Sequence, residues 1–364
     1  MTMRAARRAV PGQSSHTVQP LCGFLLSALV ALGAAVFAPV SANAQSADLL
    51  AAAEKEGEIV WYSSHQISEA IPVVAKAFAE KYPDLKLTVV GGTSTTVFQK
   101  FMQDVKMGAP RADVISTGTP GNFVDLKQKG MLAQYKPENF SQIDPLFQQY
   151  SNSGDNYYFA TQAAMLGIAY NSDKVTDADA PKLWTDLLDP KWQGQVAMGD
   201  LGSSGLVAEW GAEMNKAYGW QYFDKLIASH PLVGRSVVDG VTSLVSGERL
   251  VSPTVVGVAL DSAHKGNPIK VSFPKDGVVL VMMPSAILKD APHPNGARLL
   301  MEFLLGKEYA AATTSTGYRP ARDDVPLAEG QEVSSDLKFL TMPAQESMET
   351  TKAVVAKWRE TFGK

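Results

Sequence analysis

Cysteine is all but absent from this chain of 364 residues: there is one, Cys22. It lies in the leader-like segment described below, so the mature chain is left with none. That excludes a disulfide framework, a thiol nucleophile and a thiolate metal site. Basic residues are not in excess either, with 33 Lys and Arg against 37 Asp and Glu. Nothing here supplies the basic face that nucleic-acid binding needs. Histidine is scarce, five in all, and His230, His264 and His293 fall at no metal-ligand spacing. There is no HExxH. The stretch "GGTSTT" (91–96) lacks the lysine of a phosphate-binding loop. Gly202-Ser203-Ser204-Gly205 lacks the GxSxG spacing of a nucleophile elbow. An enzyme is therefore not the expectation. A secreted hydrolase built on the Gly/Ser turn is the reading from another class, and it requires a serine and a histidine in contact.

What is present begins with a leader. Arg4, Arg7 and Arg8 form a positive start, and "LCGFLLSALVALGAAVFA" (21–38) is an unbroken apolar run. "PVSANA" then ends in Ala42-Asn43-Ala44, a small-x-small cleavage pattern before Gln45. Residues 1–44 read as a cleaved secretory signal peptide, which implies a periplasmic protein. The apolar run is nearly long enough to span a bilayer, but it has no charged stop-transfer flank. Without the leader the balance is 30 basic to 37 acidic residues. The chain is 45% hydrophobic and 19% charged, which excludes both a disordered chain and a polytopic membrane protein.

Past the leader, short apolar strands alternate with amphipathic helices. "EIVWYSS" predicts a strand. "AIPVVAKAFAEKYP" puts Ile71, Val74, Ala75 and Phe78 on one helical face and stops at Pro83. "LKLTVVGG" and "ADVISTG" predict further strands. "TVFQKFMQDVKMG" predicts a helix with Val97, Phe101 and Val105 in register, and "NFVDLKQKGML" a shorter one. This order implies an α/β unit with a largely parallel sheet. A long extended stretch, "YYFATQAAMLGIAYNSDKV" (157–175), leads to a second α/β unit. "IKVSFPKDGVVLVMMPSAIL" (269–288) then returns as strands, followed by a helix and a helical tail. The simplest arrangement has the chain crossing between two lobes more than once, with ligand-binding loops at strand ends facing a cleft. The expected boundaries are 45–162 for the first part of lobe 1 and 163–270 for lobe 2. Residues 271–320 form a return to lobe 1, and 321–364 form C-terminal helices on lobe 2. Trp61 reads as core, as do Trp184, Trp192, Trp210 and Trp220.

Five stretches carry a resemblance: "LLAAAEKEGEIVWYSSHQ", "FMQDVKMGAPRADVISTGTPGNFVDLKQKGML", "GIAYNSDKV", "LWTDLLDPKWQGQVAMGD" and "VVLVMMPSAILKDAPHPNGARLLMEFLLGKEYAAATTSTGYRPAR". In this order and spacing the chain resembles the periplasmic solute-binding proteins of ABC importers. The matching group is type II, which includes ferric-ion, thiamine and polyamine binders. The resemblance implies an α/β, two-lobed type II fold. Each lobe is then a mostly parallel sheet flanked by helices, and a two-strand hinge joins the lobes. It also implies a monomer without cofactor that captures a small solute and delivers it to an inner-membrane ABC permease.

His65 falls where the ferric binders carry an iron-coordinating histidine after the first strand. Fe(III) favours carboxylate and phenolate oxygen. Gly118 stands where those proteins have a glutamate, and Asp261-Ser262 where they have two adjacent tyrosines. Tyr157-Tyr158 comes too early in the chain. A ferric site would need His65, Asp261 and borrowed oxygens, with a bound anion. The other reading makes His65 a polar loop residue. "GDLGSSGLVAEWG" (199–211) opens a helix with Ser203 or Ser204 as cap, and Gly202 and Gly205 allow close approach. The family uses the matching turn for an anion such as phosphate or carboxylate. Ser63, Ser64 and His65 should face the same cleft, as should Thr117 and Thr119 from "STGT" and Thr161 from "TQAAMLGIAY". Gly91-Gly92-Thr93-Ser94 can equally be an ordinary turn and cap. An anion also wants a cation, and Arg235 is the first candidate, ahead of Arg319 and Arg322. The expected ligand is a small organic acid, phosphonate or phosphorylated compound.

Overall fold

The computed structural model describes residues 42–65, 71–151, 154–331 and 338–363. The leader expected over 1–44 lies outside these residues up to position 41. Helix α1 (Ala42–Glu56) leads into β1 (Glu58–Ser63), α2 (Ile71–Lys81), β2 (Lys86–Gly91) and α3 (Ser94–Lys106). Then come β3 (Val114–Ser116), α4 (Gly121–Gln128), α5 (Pro145–Tyr150) and the long β4 (Phe159–Asn171). The middle of the chain holds β5 (Ala197–Gly199), α6 (Gly205–Tyr218), α7 (Gln221–Ala228), β6 (Leu232–Gly234) and α8 (Val237–Val245). These are followed by β7 (Val251–Val255), α9 (Val256–His264), β8 (Ile269–Ser272) and β9 (Val278–Ile287). The last elements are α10 (Pro294–Leu304), α11 (Lys307–Ser315), β10 (Arg319–Pro320), β11 (Phe339–Leu340) and α12 (Ala344–Phe362). Among the described residues no helix is long and apolar enough to cross a membrane.

The fold is mixed α/β. β1 lies between β2 and β3, parallel to both, as the alternating strand and helix pattern requires. β9 runs antiparallel to β3, and β4 antiparallel to β9. The sheet is therefore less parallel than the pattern alone implies, because β4 carries the chain out of the first lobe and β9 brings it back. The far half of β4 pairs with β7 and β8 instead, also antiparallel. Every residue of β4 and of β9 is buried, which explains their continuous apolar runs.

The core follows this division. One body packs Ile59, Phe78 and Val114 of the first strands and helices against Leu300 and Phe303 of α10. The other packs Trp184, Trp210 and Phe223 with Leu244 of α8. Trp61, Trp184, Trp192 and Trp210 are buried. On α2 and α3 the buried positions include Val74 and Phe78, and Val97 and Phe101, the stripes the periodicity predicts. The C-terminal helix α12 lies against α6 and also against α4. Val354 and Trp358 join the second core, while Met348 packs on Gly121 of α4, where a side chain would reach within 2.9 Å of the Met348 backbone.

Candidate functional site

The register of three parallel strands assembles the site. Ser63 pairs with Gly91 on one side and with Ser116 on the other. The loops that leave β1, β2 and β3 therefore start from one edge. Ser64 N–H donates to the Ser116 carbonyl at 2.9 Å, which holds the first loop against the third. The Ser64 and Ser94 hydroxyls lie 2.9 Å apart. Gly118 N–H points between them, 3.1 Å from Ser64 Oγ and 3.0 Å from Ser94 Oγ. Ser94 is the first residue of α3, whose N-cap, Thr93, accepts from Thr96 N–H. The stretch that reads equally as a plain cap is thus also part of the cluster.

The second lobe approaches from the opposite side. β5 ends at Gly199, and Asp200 N–H donates to Gly234 O at 2.8 Å. Asp200 then organises the turn, accepting from Ser203 Oγ and from Trp358 Nε1, each at 2.8 Å. Ser204 follows as the N-cap of α6, but its side chain makes no capping hydrogen bond. It is 7% exposed, and its hydroxyl has no hydrogen-bond partner among the described residues. Gly205 meets the first lobe directly. A Cβ there would lie 2.8 Å from Ser94 Cβ and closer still to Thr119 Oγ1. The starts of α3 and α6 thus face each other, and the first N–H groups of both are positive and unpaired within their own helices.

Beside this seam lies a cavity of about 810 Å³, within the usual size of a small-molecule site. Thr95 and Phe98 of α3, Thr119, Asn122 and Gly205 line it, together with Met348, Lys352 and Arg359 of α12.

Beneath the seam is a buried polar network. Trp61 Nε1 donates to Ser116 Oγ at 2.7 Å, Ser116 Oγ lies 2.7 Å from Ser285 Oγ, and Ser285 Oγ lies 2.8 Å from Thr161 Oγ1. His65 belongs here. It is 0% exposed. Its Nε2 lies 3.2 Å from the Pro284 carbonyl, and its Nδ1 lies 3.4 Å from Tyr309 Oη and 3.5 Å from Thr161 Oγ1. Burial pushes its pKa down to about 3, so the ring is neutral. His65 O accepts from Gln162 Nε2 at 2.6 Å, and Tyr309 Oη donates to Gln162 Oε1 at 2.6 Å. His65 is thus a tie between β1, the two crossing strands and α11.

The other predicted site residues divide. Ser64, Thr119, Ser204 and Gly205 meet at the seam, and Thr117 stands just behind it, accepting from Asn122 Nδ2 at 3.2 Å. Ser63 accepts from His65 N–H, and Thr161 is in the buried network. Ser203 is exposed and turned to Asp200. Arg235 is exposed at the start of α8 and does not line the cavity. Arg319 pairs with Asp144 and Arg322 with Asp324. Asp261 stands apart: it lies on α9, 2.7 Å from Lys265 one turn on. A helix surface places residues at i and i+4 side by side. Among the described residues no group of three or more His, Cys, Asp or Glu side chains is arranged to hold a metal ion.

A profile of the bacterial extracellular solute-binding proteins matches residues 109–345, well over half of the chain. The chain belongs to that family. Several solved structures of solute-binding proteins share its fold. The periplasmic binding protein AfuA from Actinobacillus pleuropneumoniae, with exogenous fructose-6-phosphate bound, matches with a TM-score of 0.73 at 23% identity, over 84% of this chain and 98% of that one. Iron-bound HitA from Pseudomonas aeruginosa matches with a TM-score of 0.71 at 20% identity, over 83% and 99%. At these identities the likeness is one of fold, the type II arrangement of periplasmic binding proteins. In sequence, the spermidine/putrescine-binding periplasmic protein of Escherichia coli is 27% identical over 215 residues, 54% of this chain and 60% of that protein.

In a solute-binding protein, the residues that sequence reasoning misses here are those of α12. Met348, Lys352, Val355 and Arg359 follow one another at helical spacing and line the cavity. The stripe is readable in the tail, but its placement across both lobes is not.

Proposed function

We propose that this protein is the periplasmic receptor of an ABC importer for a small organic anion, held where the lobes meet. One observation carries the reading. The starts of α3 and α6, from opposite lobes, converge on Ser64, Ser94 and Gly118 N–H, with Ser204, the N-cap of α6, beside them. Helix starts attract negative charge, and two of them at one seam favour it from both sides. Hydroxyls and N–H groups recognise an oxyanion without charge of their own. Closure is then favoured by whatever contacts the anion makes to both lobes at once. The solute is delivered to the permease, and no bond is broken. The ring contacts of His65 involve no serine hydroxyl of the Gly/Ser turn, which argues against the hydrolase alternative.

A ferric ligand is disfavoured by the position of His65, buried under the seam, and by the pairing of Asp261 with Lys265. The polyamine-binding relative favours a cationic ligand, but the two carboxylates at the cavity are engaged. Asp125 lies 2.6 Å from Lys129, and Glu349 accepts from Gln345 at 2.7 Å. The test is the double substitution Ser64→Ala with Ser204→Ala. Binding of the organic anion, measured by calorimetry, should be lost while the folded far-ultraviolet signal is retained. Unchanged affinity would remove both serines from the site and with them this reading.

A further inference from the structure

The cavity has two unlike sides, and this narrows the ligand. On one side are the helix starts and the hydroxyls of Thr95 and Thr119. On the other are Phe98, Leu201, Met348 and Val355, which leave hydrocarbon facing the space. Two cations of α12 complete the lining. Arg359 donates to the Gly202 carbonyl at 3.1 Å, at the turn that opens α6. Lys352 lies on the cavity wall, exposed, with no ion pair to a described residue.

We infer that the ligand is a carboxylate with an apolar body, aliphatic or aromatic, and that α12 selects it. This rests on the anion reading above. The carboxylate lies toward Gly205 and the α6 start, within reach of Lys352 and Arg359, and the body packs on Phe98, Met348 and Val355. A sugar phosphate needs a polar partner for each of several hydroxyls, and unpaired ones are costly to bury. The patch formed by Phe98, Leu201, Met348 and Val355 offers none. For an apolar body the same patch is favourable, since each buried methylene adds to affinity.

Calorimetry on the ligand-stripped protein tests this, with benzoate, phenylacetate, hexanoate, glucose 6-phosphate, inorganic phosphate and putrescine as probes. The apolar carboxylates should bind, and the two phosphates should not. Lys352→Met should weaken carboxylate binding about tenfold, the usual scale for loss of one charge-assisted contact. Val355→Asp should weaken it further, with Val355→Ser as the milder variant. Each variant's melting temperature serves as the check on folding. Glucose 6-phosphate binding that ignores Val355→Asp, with no carboxylate bound, would overturn the inference and leave the anion reading standing. Putrescine as the sole ligand would overturn both. Carboxylate binding unchanged in Lys352→Met and Val355→Asp would place the ligand elsewhere and also overturn the inference.

Discussion

Buried titratable residues set the pH response, His65 with one sign and Glu209 and Glu213 with the other. His65 has a folded pKa of about 3, driven down by burial, against about 6.5 when unfolded. As pH falls below 6.5 the unfolded chain takes a proton that the folded chain refuses. The stability His65 contributes is therefore complete above 6.5 and lost on the way to 3, at about 1.4 kcal/mol per pH unit. Glu209 is the reverse. Burial against α12 raises its pKa to about 7, although Ser347 Oγ donates to both carboxylate oxygens at 2.8 and 2.9 Å. Its stabilisation is complete below about 4.5, the ordinary value of a glutamate carboxyl, and is lost as pH rises through 7. Glu213, one turn along, is raised to about 7 by burial as well. We expect Glu209→Gln to unfold at higher urea than the parent at pH 8, by on the order of 2 kcal/mol, and to show no such gain at pH 4.5. An equal gain at both pH values would mean that packing, not charge, sets the difference.

At the scale of elements, the site depends on where helices begin. The sequence shows these starts well. The strand ends at Ser63, Gly91 and Ser116, the cap at Thr93–Ser94 and the Gly/Ser turn before α6 are all readable from local chemistry. What is not readable is which starts face each other. Ser94 counts as a plain cap until Ser64 Oγ is seen beside it, because the pairing spans thirty residues and depends on strand register. His65 misleads for a related reason. A histidine after a strand suggests a ligand, yet the crossing strand β9 puts the Pro284 carbonyl against its ring. Asp261 and Arg235 sit on α9 and at the head of α8, where their local sequence gives no sign of which way they face. Gly205 tests the seam. Gly205→Ala improves helix propensity by up to about 1 kcal/mol, so thermal stability should hold. Its methyl group would collide with Ser94 and Thr119. Ligand affinity should then fall at least tenfold, and small-angle scattering with ligand should keep the larger radius of an open form. Full affinity with a compact radius would show that the lobes do not need this contact.

At the scale of the molecule, three connections span the lobes: β4, β9 and the helix α12. The two strands form the hinge. The polar network of Trp61, Ser116, Ser285 and Thr161 ties that hinge to the floor of the site. Helix α12 closes one flank and brings Lys352 and Arg359 to it. The family fold was legible from the alternation of strands and helices and from the order of the five quoted stretches. The ligand was not, because the candidate site draws on the loops after β1 and β3, the starts of α3 and α6, and α12, brought together only by folding.

The central claim is that the seam binds a small organic anion. A thermal-shift screen tests it most directly. The panel holds organic acids, sugar phosphates, ferric iron with citrate or phosphate, thiamine and polyamines. A ligand at 100 times its dissociation constant stabilises by about 2.7 kcal/mol, a shift of several degrees. The account predicts that shift with an organic anion in the absence of metal. A shift confined to ferric iron or to a polyamine would contradict it.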